Sequence, residues 1–501
     1  MKIEFSPPEI TEEDIAAVTE VLRSGWITTG PRVTEFEAAI AKRSGTARAV
    51  ALNSATAALQ CALALLGIGP GDEVITSAYT YTASASVIAH AGAIPVLVDT
   101  LPGSYFMNPA AVAAAITART KAIISVDIGG VMADYDALRK VTRSHEVFRL
   151  YQPRPGSLQE KFAHVPIIAD AAHSFGATYK GQPSGSVADF TAFSFHAVKN
   201  LTTAEGGALT WRAGLGVAEA AGVGKAGAAG AGAAGDADGA ARVADGAAGV
   251  SPDENLSEAQ KQSVAIHGAA STVDRTSSDA ADAINAALSA EGAPVSPFAE
   301  PVATELDEIL YKRARLYSLH GQDKDAIAKL QAGSWEYDVV APLYKCNMTD
   351  IAAALGLSQL KRYDQTLARR QSLVRTYTTR LMADAMAAGY QLDILAHNDG
   401  AGSLSSGHLM MVRLIGRDDM FRRRFIEKMA ERGVACNVHY KPLPMLSAYA
   451  MMGYDIGGYP NAWQQYVNQV TLPLYNTLSD EEVNYICDSF AAAYAECLEE
   501  L

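Results

Sequence analysis

Cysteine is scarce in this chain. There are five in 501 residues (Cys61, Cys346, Cys436, Cys487 and Cys497), and no two stand in a C-x-x-C pair. An odd, unspaced set argues against a disulfide framework and against a zinc ribbon. Metal-spaced histidine pairs are also missing, so no metal site is expected. So are a G-x-G-x-x-G after a strand and a G-x-x-x-x-G-K-[ST] loop, which leaves no dinucleotide fingerprint and no P-loop. Long apolar runs are missing too. The longest candidate, 49–69, is interrupted by Asn53, Ser54, Thr56 and Gln60, which argues against a membrane-spanning helix. The first eleven residues are charged and contain Pro7-Pro8, unlike a signal-peptide core, so a cytoplasmic location is expected. Basic residues are outnumbered, 41 Lys and Arg against 55 Asp and Glu, for a net charge of −14. A nucleic-acid partner is therefore not expected.

The remaining composition, 49% hydrophobic and 19% charged, is that of a folded protein. At about 150 residues per domain, the length suggests two to four domains. Over the first 211 residues, short apolar runs alternate with helical patterns. Strand-like 47–52, 73–77, 94–99, 121–126, 165–170 and 191–195 are interleaved with helix-like 55–66 and 83–90. Such alternation predicts βαβ units and a largely parallel sheet.

The composition then changes. From Ala213 to Ala303, 42 of 91 residues are Ala or Gly, Phe298 is the only aromatic, and 12 acids face 4 bases. Too few large apolar side chains are present to offset the ordering entropy. The composition predicts an inserted segment, flexible or weakly helical, with 278–290 its best helix. Helical patterns resume at 306–319, 350–362 and 367–388. The last stretch reads as a strand at 409–414, a helix at 419–431, a strand at 434–438 and a terminal helix from Asp480. The predicted organisation is a large domain in 1–212, an insertion in 213–303, the rest of the large domain with interface helices in 304–362, and a smaller C-terminal α+β domain in 363–501.

Chemistry concentrates between Ala169 and Gly207, in Asp170-Ala171-Ala172-His173 and Ser194-Phe195-His196-Ala197-Val198-Lys199. Asp170 ends an apolar strand, and the carboxyl ends of parallel strands line the binding crevice of α/β sheets. Lys199 lies in a polar turn before Thr202, Thr203, Glu205, Gly206 and Gly207, a setting for a Schiff-base nucleophile. Pyridoxal phosphate needs both: an acid to keep its ring nitrogen protonated and an amine for its aldehyde. Taken singly, the bland readings are commoner. A strand-end Asp is usually a turn residue, a Lys a solvated surface group, and His173 or His196 a core histidine with satisfied hydrogen bonds. The ordered set favours the functional reading. Upstream, Asn53-Ser54-Ala55-Thr56 joins a strand to a helix, where backbone N–H groups can hold an anion or Ser54 can simply cap. Tyr81 can stack on a flat cofactor or serve as an ordinary core aromatic.

With Ser24-Gly25-Trp26-Ile27-Thr28-Thr29-Gly30-Pro31, Gly71-Asp72-Glu73-Val74-Ile75, Asn347-Met348-Thr349-Asp350-Ile351, Gln359-Leu360 and Val438-His439-Tyr440-Lys441-Pro442-Leu443, these segments resemble the DegT/DnrJ/EryC1/StrS family of pyridoxal-phosphate-dependent sugar aminotransferases. The resemblance implies fold type I, the aspartate-aminotransferase-like α/β fold, in a homodimer with shared active sites. By position it implies Lys199 as the cofactor-bearing lysine and Asp170 as the partner of the pyridine nitrogen. It implies His173 as a contact to the cofactor's ring face or phenolic oxygen, and Tyr81 as the stacking aromatic. Ser54, Ala55, Thr56 and Ser194 would cradle the phosphate, and His439 and Tyr440 would lie near the sugar-nucleotide site. The chain departs from the family at Lys345-Cys346-Asn347-Met348, where many members read Asn-Tyr-Arg-Met. Lys345 is then the expected phosphate contact across the dimer. The link between Lys140 and Val165 is long, and the 213–303 block is foreign to the family's core.

The implied activity is amino transfer, from L-glutamate by family resemblance, to a nucleotide-linked keto-sugar destined for surface polysaccharide or related glycan. Retention of Lys199 disfavours the family's dehydratase branch, which carries histidine there. A cyclitol or other keto acceptor, or a non-catalytic regulatory protein on the same fold, are the alternatives.

Overall fold

A computed structural model describes residues 1–215, 302–323, 336–398 and 400–500. Its central sheet has seven strands. They are β1 (Ala49–Leu52), β2 (Glu73–Ser77), β3 (Ile94–Val98), β4 (Thr120–Val126), β5 (Ile167–Asp170), β8 (Phe190–Ser194) and β9 (Gly207–Trp211), with a two-residue-per-strand hairpin, β6 (Thr178–Tyr179) and β7 (Gln182–Pro183), set apart. The spatial order is β1-β9-β8-β5-β4-β2-β3. β3, β2, β4, β5 and β8 pair in parallel, and β9 alone runs against its neighbours. The inner strands are apolar on both faces, with Val74, Ile75, Ile123, Ile124, Ile167, Ile168, Ala192 and Phe193 all buried. That is the pattern a sheet covered on both sides requires.

Side-chain caps set the starts of two helices. Ser54 caps the helix Ala55–Leu65, its hydroxyl accepting from the Ala57 N–H over 3.1 Å. The N-terminal helix Glu12–Ser24 opens with a reciprocal capping box between Thr11 and Asp14. Asp14 is fully buried and is held by Arg362, which donates to both carboxylate oxygens.

A second core surrounds an antiparallel sheet of β10 (Leu392–Ile394), β11 (Met410–Leu414) and β12 (Gln469–Leu472). The helix Tyr363–Ala388 belongs to both cores. Its start, Tyr363 and Leu367, packs with the large sheet, and Leu373, Tyr377 and Leu381 pack with the small one.

Most of the expected elements appear within a few residues of their predicted bounds. The strand expected at 434–438 does not form. It makes only isolated bridges, Val434 with Ile3 and Asn437 with Thr471 of β12, and beyond them the backbone turns to side chains, the Val438 N–H donating to Asn437 Oδ1 and the His439 N–H to Gln469 Oε1. The helices Glu12–Ser24 and Pro31–Ser44 were not anticipated, although the capping pair and Pro31 in the first turn mark their starts. Of the 213–303 insertion, residues 216–301 lie outside the described residues, the candidate helix at 278–290 included.

Candidate active site

The carboxyl ends of β4, β5 and β8 open into a cavity of about 420 Å³. Ser54, Ala55, Thr56, Tyr81, Asp170, His173, Ser194, Lys199, His439 and Tyr440 all line it. Ten of the eleven residues given site roles by the family resemblance thus meet in one place. Lys345 does not line this cavity. Its ammonium donates to Asn347 Oδ1.

Lys199 stands in the turn after β8. Its N–H donates to His196 O over 2.9 Å, and Thr202 Oγ1 and the Thr203 N–H both donate to Phe195 O, which pins the turn. The residue keeps partial solvent contact along its length, yet its amine is lowered to about 8 by desolvation. Asp170 pulls the other way. Burial alone therefore lowers this amine, and no neighbouring positive charge contributes.

Asp170 is 4% exposed. Its Oδ2 accepts from Ser84 Oγ over 2.7 Å and its Oδ1 from the Ala172 N–H over 3.3 Å. Burial raises its pKa, and those two hydrogen bonds and Lys199 oppose the rise. Among the described residues no basic nitrogen comes within ion-pair distance of it. A buried carboxylate without a cation is costly, and a protonated pyridine nitrogen would supply the missing charge.

His173 follows β5. Its Nδ1 accepts from the Gly129 N–H over 3.2 Å, and its Nε2 lies 3.0 Å from Tyr440 Oη. Burial first, then Lys199 and His439, hold its pKa well below the usual imidazole value, so the ring is neutral. His439 is lowered to about 3, again chiefly by burial. Its backbone is fixed at both ends, the N–H donating to Gln469 Oε1 and the carbonyl accepting from Tyr79 Oη. Tyr81 is 59% exposed, its ring centroid 5.8 Å from that of Tyr440.

One end of the cavity is built largely from backbone. A Cβ on Gly207 would lie 2.3 Å from the Ser54 carbonyl carbon and 2.5 Å from the Ala55 nitrogen. Only glycine lets β9 press against the start of the helix Ala55–Leu65, where unpaired N–H groups favour an anion. Ser194 is nearly buried, its hydroxyl accepting from the His196 N–H over 3.4 Å. A helix start suited to an anion, a buried uncompensated carboxylate and a neutralisable amine in one cavity fit pyridoxal phosphate.

Several side chains escaped the sequence reading. Ser84, which orients Asp170, sits in the helix Ala83–His90 and carries no motif of its own. Asp127, just past β4, lines the cavity. It is raised to about 6 by burial, against hydrogen bonds from Ser174, the Ala133 N–H and Tyr135. The His408 ring lies 4.4 Å from that of His173, tilted by 39°, and its Nδ1 shares a 2.8 Å hydrogen bond with Asn200 Oδ1. Arg370, 3% exposed, donates to the carbonyls of Gly407, His408 and Leu474, so it fixes the turn that carries His408. The available signal was positional: His408 lies two residues before β11, and Asn200 directly follows Lys199.

The sequence profile of the DegT/DnrJ/EryC1/StrS aminotransferase family matches residues 8–150, 160–229 and 301–491. The spore coat polysaccharide biosynthesis protein SpsC of Bacillus subtilis (strain 168) is 32% identical over 489 residues, covering 97% of this chain and 95% of its own. A putative sugar aminotransferase from Streptococcus pneumoniae, Spr1654, solved in its PMP form, is 40% identical with a TM-score of 0.76. The match covers 99% of this chain and 100% of that one. The same protein in its PLP form superposes with the same TM-score. The aminotransferase PseC of Helicobacter pylori, 22% identical with a TM-score of 0.69, shares the fold. This chain belongs to the DegT/DnrJ/EryC1/StrS aminotransferase family, and it is a pyridoxal-phosphate-dependent aminotransferase of fold type I.

Proposed function

We propose that the enzyme moves an amino group from L-glutamate to a keto-sugar carried on a nucleoside diphosphate, for assembly of a surface polysaccharide or related glycan. The observation that carries this reading is the single cavity that joins Lys199, Asp170 and the helix start at Ser54 to His439 and Tyr440 of the C-terminal part. The spore-coat polysaccharide role printed for SpsC supports the glycan destination.

Bound pyridoxal phosphate supplies an electron sink that acidifies the α-proton of an attached amine. Asp170 holds the ring nitrogen's proton, and Ser84 keeps the carboxylate facing it. Lys199 Nζ holds the cofactor and then acts as the base that takes and returns the substrate's proton. With a pKa of about 8, its free-base fraction near neutrality far exceeds that of an ordinary lysine. The N–H groups at Ala55 and Thr56, with Ser54 and Ser194, receive the phosphate. Tyr81, on the exposed rim of the cavity, would stack on the cofactor ring. His439 and Tyr440 face the acceptor. The protein works as a homodimer, and Lys345 reaches the phosphate in the partner's cavity.

The test is a panel of nucleotide-linked keto-sugars with L-glutamate as donor, product being read by mass spectrometry. Amination of at least one nucleotide sugar is expected. Amination of a free keto-cyclitol alone would replace the acceptor, and no reaction with glutamate while another amino acid serves would replace the donor.

A further inference from the structure

The bond between His173 and Tyr440 has a direction. The Gly129 amide can only donate, and it lies 3.2 Å from His173 Nδ1. Nδ1 therefore carries the lone pair, and the proton of the neutral ring sits on Nε2. Nε2 faces Tyr440 Oη at 3.0 Å, so the histidine donates and the tyrosine oxygen accepts. The hydroxyl hydrogen of Tyr440 must then point elsewhere. No other partner of Tyr440 Oη exists among the described residues, and the side chain lines the cavity.

The geometry around this pair is closely held. Gly129 has φ +64°, a conformation that side-chain-bearing residues adopt only with strain, so glycine suits the position that presents this amide. Ser406 Oγ donates to the His173 carbonyl over 2.5 Å. The Tyr440 backbone follows His439, whose ring is held by Thr471 Oγ1 at 3.0 Å.

We infer that the Tyr440 hydroxyl is an oriented hydrogen-bond donor to an oxygen inside the active site, and that His173 is a positioning residue acting through it. His173 has no N–H left for the cofactor's phenolic oxygen, the contact expected from the family resemblance. Tyr440 offers that donor instead. The acceptor is an anionic or carbonyl oxygen, supplied by the cofactor's phenolic group or by the substrate. The inference rests on the reading of this cavity as the cofactor seat.

The test compares the pyridoxal-phosphate holoenzyme with Tyr440→Phe, His173→Ala and the double variant. Cofactor loading and thermal unfolding are checked first, and His173→Asn replaces the alanine variant if that one fails to fold. Two quantities are read: the pH midpoint of the visible cofactor band without substrate, and the rate of band loss against L-glutamate concentration. A donor on the cofactor's oxygen weakens that oxygen's hold on the neighbouring proton. Its loss in Tyr440→Phe should then raise the midpoint by about one pH unit, a tenfold change in the equilibrium. A donor on a substrate oxygen leaves the midpoint alone and raises the half-saturating glutamate by about tenfold. In either case His173→Ala should weaken the Tyr440→Phe protein further by less than about twofold. Two results overturn the inference: neither quantity moving beyond about twofold in Tyr440→Phe, or the single effects multiplying in the double variant. Absence of the band in the unaltered protein would fail the cofactor reading itself, before any variant is compared, and would remove this inference with it.

Discussion

Asp170 and Lys199 face one cavity without forming an ion pair, and burial outweighs the pull of the carboxylate on the lysine's proton. An amine of pKa about 8 is the result. The sign of its pH dependence follows. The group's pKa is depressed in the folded protein, so it is an ammonium below about 8 and a nucleophile above. Capture of pyridoxal phosphate by the cofactor-free protein should accelerate as pH rises through about 8 and then level off. The rate of appearance of the visible band across this range checks it. A midpoint near 10.4, the ordinary lysine value, would contradict the role assigned to burial.

Asp170→Asn keeps the shape of the side chain and removes its charge. The pyridine nitrogen would then lose its proton, and turnover should fall by at least about 100-fold with weaker cofactor retention on dialysis. Ser84→Ala removes one hydrogen bond to that carboxylate, worth about 1 to 2 kcal/mol. It should cost roughly tenfold in cofactor affinity with the fold intact. Unchanged affinity in both variants would place the ring nitrogen elsewhere.

Lys345 lies outside the cavity of its own chain. If it serves the partner's cavity, mixing inactive Lys199→Ala with inactive Lys345→Ala should restore part of the activity in hybrid dimers. The control is proof of subunit exchange by mass. No recovery after exchange would place Lys345 in its own subunit's site or outside any site.

The 213–303 segment should be dispensable for chemistry. Trp211 Nε1 donates to Asp307 Oδ1 over 2.8 Å, so the chain leaves and returns at one point. A short linker can span that gap, since closure entropy grows only logarithmically with length. Replacing the segment with a short Gly/Ser linker should leave the cofactor band and turnover within a few-fold. An insoluble or inactive protein would show that the segment supports the fold or the site.

The sequence was most legible where function follows directly on a local pattern. Asp170 ends an apolar strand and Lys199 stands in a turn just past one, so both could be placed from their immediate neighbours. Ser84, Asn200 and His408 could not. Ser84 meets Asp170 across 86 residues and Asn200 meets His408 across 208, and nothing in either local pattern encodes such a pairing. The small domain shows the same limit. The run 434–438 has strand-like residues, yet it touches the edge of β12 only through the Asn437 bridge to Thr471, and Gln469–Leu472 has too short an alternation to stand out. The tautomer of His173 was beyond reach as well, because it is set by one amide, that of Gly129, from another strand end.

The central claim is that Lys199 is the residue that carries the cofactor. Borohydride reduction of the pyridoxal-phosphate-loaded protein, followed by peptide mass spectrometry, tests it most directly. The account predicts a phosphopyridoxyl group on the peptide containing Lys199 and on no other. Labelling of a different lysine, or a stable visible band with Lys199 unlabelled, would contradict it.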